Sequence, residues 1–523
     1  MVRMRRRWAL ALLAGGASAA AINAEYFSGR TPAPRPSDVS VRQPPPTLAE
    51  ENLLPGEPWW PKEGLPTTDD DHRQIQGYVN KTSILPGDSL DFHVAVNPAG
   101  RYRITIHRLG WYGGAGARTV YTSPELEGVP QEVPAADAAD GMIACRWPRS
   151  WGLDVPTDWP SGVYQAVFTS VAGWRACTPF IVRDDQRRSD LCVVLPVTTW
   201  QAYNQWPKDR RQGKSLYNGY SADGRTDPEL RAARVSFDRP YANEGIPSRF
   251  LEDQHAIQFL ERSGYDISYA TSFDLHSGRL DPTRHRGIVF CGHDEYWSTE
   301  MRGAAERAVA GGTSVAYFGA NSIYWRILVD AADDGRPERT ITCTKIAPTD
   351  LSAVTDETTS RWRDRGEPEQ AFLGVQYNGV VDGRKSLVVR AADHWFWAGT
   401  GVAEGDRIPS LVGGEADGRS RGVKPLRDVR ATILSASPYR TSQGRPQIQS
   451  SHIYETANGA IVFAAGTLRW TTALNSPTWR NERIERATRN LLDRIVERTV
   501  PPAQPTTPAT PATSPATPAV GTV

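Results

Sequence analysis

Three short apolar runs constrain this chain more than anything else in it. Leu191–Leu195 and Gly287–Cys291 are unbroken by a charge, and Thr313–Phe318 is nearly as apolar. A strand with one wet face alternates polar and apolar residues. A continuous run belongs to a strand covered on both faces, as in a parallel sheet between helices. Helical patterns lie between the runs. Phe250, Leu251, Ile257 and Leu260 mark an amphipathic helix, and Gly264 offers its stop. Ser298 can cap a helix through about Ala310, ended by Gly311-Gly312. Tyr265–Tyr269 adds a short strand. Strands alternating with helices predict an α/β fold with an open, mostly parallel sheet over residues 187–498. Ser386–Arg390, Ala431–Leu434 and Gly459–Ala464 suggest further strands, some in a β-rich insertion. A last helix is expected within 476–497.

The preceding segment, 71–185, has a different period. Leu90–Val96, Tyr102–Arg108 and Gly162–Phe168 alternate, with turn signals between them, which predicts an all-β, sandwich-like domain. Gly110–Gly116 is glycine-rich after a strand, but no helical pattern follows, so it reads as a hairpin or bulge. The ends read as something other than fold. Residues 1–24 join a basic start to an apolar stretch and small residues, which predicts an export signal, with Arg5-Arg6 or Arg6-Arg7 fitting the twin-arginine route. Residues 25–70 are proline-rich and read as an extended linker. Residues 499–523 repeat Pro, Ala and Thr and are expected to be disordered.

Composition removes some classes of function. Sixty basic and 59 acidic residues leave a net charge of +1, which argues against a nucleic-acid binder. Hydrophobic residues make up 39%, and the mean hydropathy of −0.48 excludes a polytopic membrane protein; no span is expected in the mature chain. The five cysteines have no zinc-like spacing. Cys145 and Cys177 either pair in an oxidising compartment or serve as small buried hydrophobes.

In an open α/β sheet, ligands bind beyond the carboxyl ends of the strands. Each apolar run here is followed by a polar and aromatic cluster: Thr198–Asn204, Gly292–Trp297 and Gly319–Trp325. If the strands are parallel, the three clusters share one edge. His293, Asp294 and Glu295 form the densest titratable group. They suit metal ligation or acid–base work, or else a structural turn before a helix. No G-x-S-x-G, H-E-x-x-H or P-loop occurs. Cys291 is a weaker candidate nucleophile at the end of a buried strand.

At these residues the chain resembles the family of the N,N-dimethylformamidase large (β) subunit and its C-terminal domain. The matching segments are Thr199–Asn204, Lys214–Tyr217, Val235–Tyr241, Gly292–Ser298, Ala320–Trp325 and Gly405–Glu415. The resemblance implies a glutamine-amidotransferase-like α/β fold that lacks the usual nucleophilic Cys, with Asn321 at the elbow instead. It implies a mononuclear Fe3+ held by Tyr203, Tyr241 and Glu295, with Tyr217 and Tyr220 as rivals for the second phenol. His293 and Asn321 match polar residues around the metal, and Glu415 matches a second acid. The implied activity is hydrolysis of the C–N bond of a small or N-substituted amide, here by an exported enzyme. A small partner subunit or a homo-oligomer would fit. The alternative is a non-catalytic envelope protein that binds polysaccharide or peptide.

Overall fold

The structure is a computed structural model that describes residues 45–58, 66–425 and 429–497. The export signal of 1–24 and the tail of 499–523 lie outside the described residues.

The alternating segments form two facing sheets. One runs in the order Glu57–Pro58, Gly116–Thr122, Gly100–Leu109, Gly162–Ser170, Arg175–Val182 and Ser83–Ile84, with Leu126–Gly128 beside Gly100–Leu109. The other pairs Ile75–Val79, Ser89–Val96 and Trp151–Asp154. Phe92 from the second sheet meets Phe168 and Phe180 from the first edge-on, at centroid distances of 6.3 and 6.5 Å. Ile104, Ile106, Tyr164 and Phe180 complete this core. Gly110–Gly116 joins antiparallel strands, so it is a hairpin connection.

The apolar runs form the centre of a seven-stranded sheet. Its order is Ile267–Thr271, Leu191–Leu195, Gly287–Phe290, Ser314–Tyr317, Ile461–Ala464, His452–Glu455 and Arg430–Ile433. The first five strands are mutually parallel, and the last two add antiparallel. The reason for a continuous apolar run is visible in one strand. Leu191, Val193 and Leu195 pack with Ile257, Leu260, Leu491 and Ile495 on one face. Cys192 and Val194 pack with Met301, Ala305 and Val309 on the other. Helices Phe250–Arg262 and Glu482–Val496 therefore cover one side and Thr299–Ala310 the other. Ser298 caps the last of these, its hydroxyl accepting from the Met301 amide at 3.2 Å.

Two features depart from the expectations above, and the cysteines follow one of their two readings, as buried hydrophobes. The described parts of 25–70 are not extended linker. Thr47 caps a short helix, Leu48–Glu51, and Glu57–Pro58 joins the sandwich as an edge strand. Buried Glu51 explains this, because it ties the segment to Tyr112 and Arg118. The five cysteines are free and buried; Cys145 and Cys177 belong to different apolar clusters. The strand expected at Ser386–Arg390 is the end of a longer one, Gln376–Val388, paired irregularly with Arg407–Gly418. Register shifts along that hairpin break the period that would have marked it.

Candidate functional site

Loops at the carboxyl ends of three neighbouring parallel strands meet in one place. After Gly287–Phe290 the chain turns through Gly292, whose φ is +58°. After Ser314–Tyr317 it passes so close that a Cβ on Gly319 would stand 1.7 Å from the Gly292 carbonyl oxygen. Only glycine permits that approach. Asn321 then adopts φ 56°, and its amide donates to the Asp417 carboxylate at 2.8 Å. Thr199, in the helix Val197–Tyr203 that follows Leu191–Leu195, accepts the amides of Glu295 and Tyr296 at 3.0 and 3.3 Å. These backbone bonds fix where His293, Glu295 and Asn321 stand.

The side chains converge on Glu295, which is buried to 1% exposure. Its Oε2 accepts from the Tyr203 hydroxyl at 2.8 Å and its Oε1 from the Tyr217 hydroxyl at 2.6 Å. The two phenol oxygens lie 3.1 Å apart. His293 Nε2 is 3.0 Å from the Tyr203 oxygen, 3.2 Å from Glu295 and 3.6 Å from Glu415. Its Nδ1 faces the Ala320 carbonyl at 3.2 Å. A carbonyl only accepts, so Nδ1 carries hydrogen and Nε2 is the working nitrogen. Asn321 Nδ2 donates to both Glu295 and Glu415, at 3.1 and 3.0 Å.

The electrostatics follow from burial and from these pairs. Burial opposes the charge on Glu295, but the hydrogen bond and charge of His293 hold its carboxyl below the usual range. Burial likewise opposes protonation of His293, yet Glu415 and Glu295 raise its imidazole above the ordinary value. Burial first, and then the negative charge of Glu295, push both phenols well above theirs. Phenol protons thus bridge the oxygens.

Of the residues singled out from sequence, Tyr203, His293, Glu295, Asn321 and Glu415 meet here. Tyr241 does not. It is buried beside Arg239 and Arg339, away from the cluster, and Tyr217 supplies the second phenol. The reason is local: Ser215 Oγ accepts the amides of Tyr217 and Asn218 and turns that loop inward. Tyr220 stands by Asp209 and Asp70 instead. Cys291 is fully buried, and burial pushes its thiol far up, which is the environment of a core thiol. Trp200 and Trp297 are core side chains, the first bonded to Asp253 and the second packed on Phe290 and Tyr317.

Lys345 escapes sequence reasoning. Its Nζ lies 3.5 Å from the Tyr217 ring centroid, 4.7 Å from that of Trp325 and 5.4 Å from that of Tyr296. Burial pushes its ammonium down to about 8, against the pull of Cys343 and Glu295. The aromatic run Tyr324-Trp325 hints at a cage, but nothing local marks a lysine twenty residues later as its occupant.

A buried carboxylate, an imidazole and two phenols at the carboxyl edge of a mixed α/β sheet define a site for polar chemistry out of bulk water. The chain belongs to the family described as N,N-dimethylformamidase beta subunit-like, C-terminal, which matches residues 103–484. It is 26% identical over 324 residues to the N,N-dimethylformamidase beta subunit of Paracoccus aminophilus, and 24% identical over 322 residues to that of an Alcaligenes species. Each match covers 54% of this chain and 42% of the relative, so less than half of either relative's length is spanned. Among solved structures, a superoxide reductase of Ignicoccus hospitalis aligns with 21% of this chain and 81% of its own, at 11% identity and a TM-score of 0.13. That overlap is too slight to bear on the fold.

Proposed function

We propose that this chain is a metal-dependent hydrolase that cleaves the C–N bond of an amide, with Fe3+ held by Tyr203, Tyr217 and Glu295. The observation that carries the reading is the mutual spacing of those three side chains. Their oxygens lie 2.6, 2.8 and 3.1 Å apart. Adjacent oxygen ligands on a small cation, at about 2.0–2.1 Å each and near right angles, stand about that far from one another. Phenolate and carboxylate oxygens are hard donors that suit such an ion. Among the described residues no group of three or more His, Cys, Asp or Glu is arranged to hold a metal. The proposed set differs in kind, since two of its donors are phenols. It also replaces Tyr241 by Tyr217 in the set expected from sequence. We place the α/β part in the glutamine-amidotransferase-like class on the same family grounds.

The ion would supply Lewis-acid polarisation of the amide carbonyl and acidification of the attacking water. The protein does the rest. In its neutral form His293 Nε2 takes a proton from water, and the neighbouring carboxylates of Glu295 and Glu415 stabilise the imidazolium that results. Glu415, the more exposed of the two carboxylates, is placed to pass that proton to the leaving amine. Asn321 is a clamp sooner than an oxyanion donor, because both its N–H groups already orient Glu295 and Glu415. Its buried Oδ1 has no partner and is free to accept from a substrate N–H. Lys345 places a positive charge over the Tyr217 ring and favours its phenolate form. A surface-binding protein would expose its indoles. Trp200, Trp206, Trp297, Trp362 and Trp470 are at most 2% exposed, and among the described residues Trp479 is the large indole left open, which favours the enzyme reading over a broad aromatic binding surface.

The test is spectroscopic. Protein loaded with ferric iron should show a tyrosinate-to-iron band in the visible and release amine from small amides. Glu295→Ala should lose both. Stoichiometric iron without a visible band would remove the phenolate assignment.

A further inference from the structure

Two arginines near the Glu415 hairpin share one indole. Trp479 is 39% exposed, and the Arg384 guanidinium lies 3.9 Å from its ring centroid. Arg469 stands 5.7 Å from the same ring. Neither guanidinium forms an ion pair or donates a side-chain hydrogen bond among the described residues. Two like charges on one indole repel, and Arg384 adds to burial in lowering the affinity of Arg469 for its proton. Glu252 alone offsets Arg469, and Glu252 already sits 3.5 Å from Arg249. Two guanidiniums gathered on one half-exposed indole form a cationic patch whose chemistry suits an anion.

The pair adjoins the chemistry. Arg384 lies opposite Gly413 in the hairpin, two residues before Glu415. Arg469 rests on the bare backbone of Gly413, where a Cβ would come within 2.7 Å of its Cδ. The Leu468 amide, next in the chain to Arg469, bonds the Glu415 carbonyl at 3.2 Å. Arg249, paired with Glu252 at 3.5 Å, adds positive charge near His293. It holds a left-handed backbone, φ 64°, at the start of helix Phe250–Arg262.

We infer that Arg384 and Arg469, flanking Trp479, form a subsite for a carboxylate, and that the amide cleaved here carries one. This rests on the hydrolase reading for the cleavage, but not for the anion site. A guanidinium fork matches a carboxylate in two bonds, and the indole covers an adjoining methylene. A neutral solvent-like amide would leave both charges unmatched.

Binding and turnover test the two readings separately. N-formylglycine and its neutral twin N-formylglycinamide are titrated into the purified full chain by calorimetry, and amine release is then followed for both with the iron-loaded protein. The carboxylate should bind more tightly, and the preference should fall about ten- to a hundredfold in Arg384→Gln and in Arg469→Gln. Arg384 is exposed, so its replacement does not threaten folding. Arg384→Lys keeps the charge without the fork and should lose most of the preference. Binding that depends on the arginines, with no amine released, would keep the subsite and sink the hydrolase. Equal affinity for the two amides, a preference untouched by either Gln variant, or no binding of N-formylglycine at millimolar concentration would overturn the inference. Arginine-dependent capture of an acidic peptide but not of N-formylglycine would overturn it too, and assign the pair to a protein partner.

Discussion

At the scale of single residues, the site turns on which phenol stands beside Glu295. Tyr217 and Tyr241 look alike in sequence, but only Tyr217 donates to that carboxylate. On the proposed Fe3+ site, Tyr217→Phe should therefore lose iron and lower kcat/KM at least a hundredfold, while Tyr241→Phe keeps both; metal analysis beside kinetics reads this. Glu295 and His293 are legible in sequence because they adjoin an apolar run that must be a strand. Tyr217 is legible only as one of several rival phenols and Lys345 not at all, since each arrives on an irregular loop whose path depends on distant contacts. A second residue-scale prediction concerns acid. His452 is 3% exposed, and its ring occupies the space where a Cβ on Gly374 would stand. Burial drives its imidazole down to about 4, against about 6.5 in an unfolded chain. A lowered folded value means that stability is fully present above pH 6.5 and drains away as pH falls toward 4. The loss approaches about 3 kcal/mol at the lower end. His452→Gln should flatten the decline of the thermal midpoint between pH 7 and 4, and an unchanged slope would discard this account.

At the scale of elements, the active loops are shaped by two neighbouring strand ends that nearly touch. Gly319 admits the Gly292 carbonyl, and Asn321 holds a positive φ two residues later. Gly319→Ala has to push the two loops apart, which moves His293 from Glu295. A cost of about 3 kcal/mol or more is expected and, on the proposed Fe3+ site, weakened iron binding in whatever protein folds. Gly312, with a φ of +101° and open space around its Cβ position, is the control. Gly312→Ala should cost only backbone strain, about 1 kcal/mol, and leave iron binding intact. Soluble Gly319→Ala with native stability would refute the crowding argument. Strand identity is legible here because burial on both faces writes itself into a continuous apolar run. The hairpin Gln376–Val388 with Arg407–Gly418 is not legible, because its register shifts erase the two-residue period. Glu415 and Arg384 both lie on that hairpin, which is why the second half of the site is hard to see in sequence.

At the scale of the whole molecule, the sandwich and the sheet are joined by buried charge, and nothing in the sequence pattern announces it. Arg108 leaves the sandwich strand Gly100–Leu109 and meets Glu261 of the helix Phe250–Arg262, with bonds of 2.7 and 3.1 Å. Both side chains are 0% exposed. Tyr269 from the edge of the central sheet donates to the same carboxylate at 2.8 Å, and Asn52 from the N-terminal segment does so at 2.9 Å. Four parts of the chain thus share one acid. Taking both ions out of water costs several kcal/mol each, which their attraction and the extra hydrogen bonds offset. Removing one partner leaves the other charge stranded, so Arg108→Ala should destabilise by about 3–5 kcal/mol. The double replacement Arg108→Met with Glu261→Leu removes both charges at similar volume. It should recover most of that loss, although the Tyr269 hydroxyl and the Asn52 amide then go unpaired at about 1–3 kcal/mol each if no water reaches them. Thermal or urea midpoints of the wild type, both single variants and the double variant close the cycle. If the joint works as argued, the two single losses sum to far more than the double loss. Additive losses would mean that Arg108 and Glu261 act independently, and that the two layers are held together by apolar packing alone.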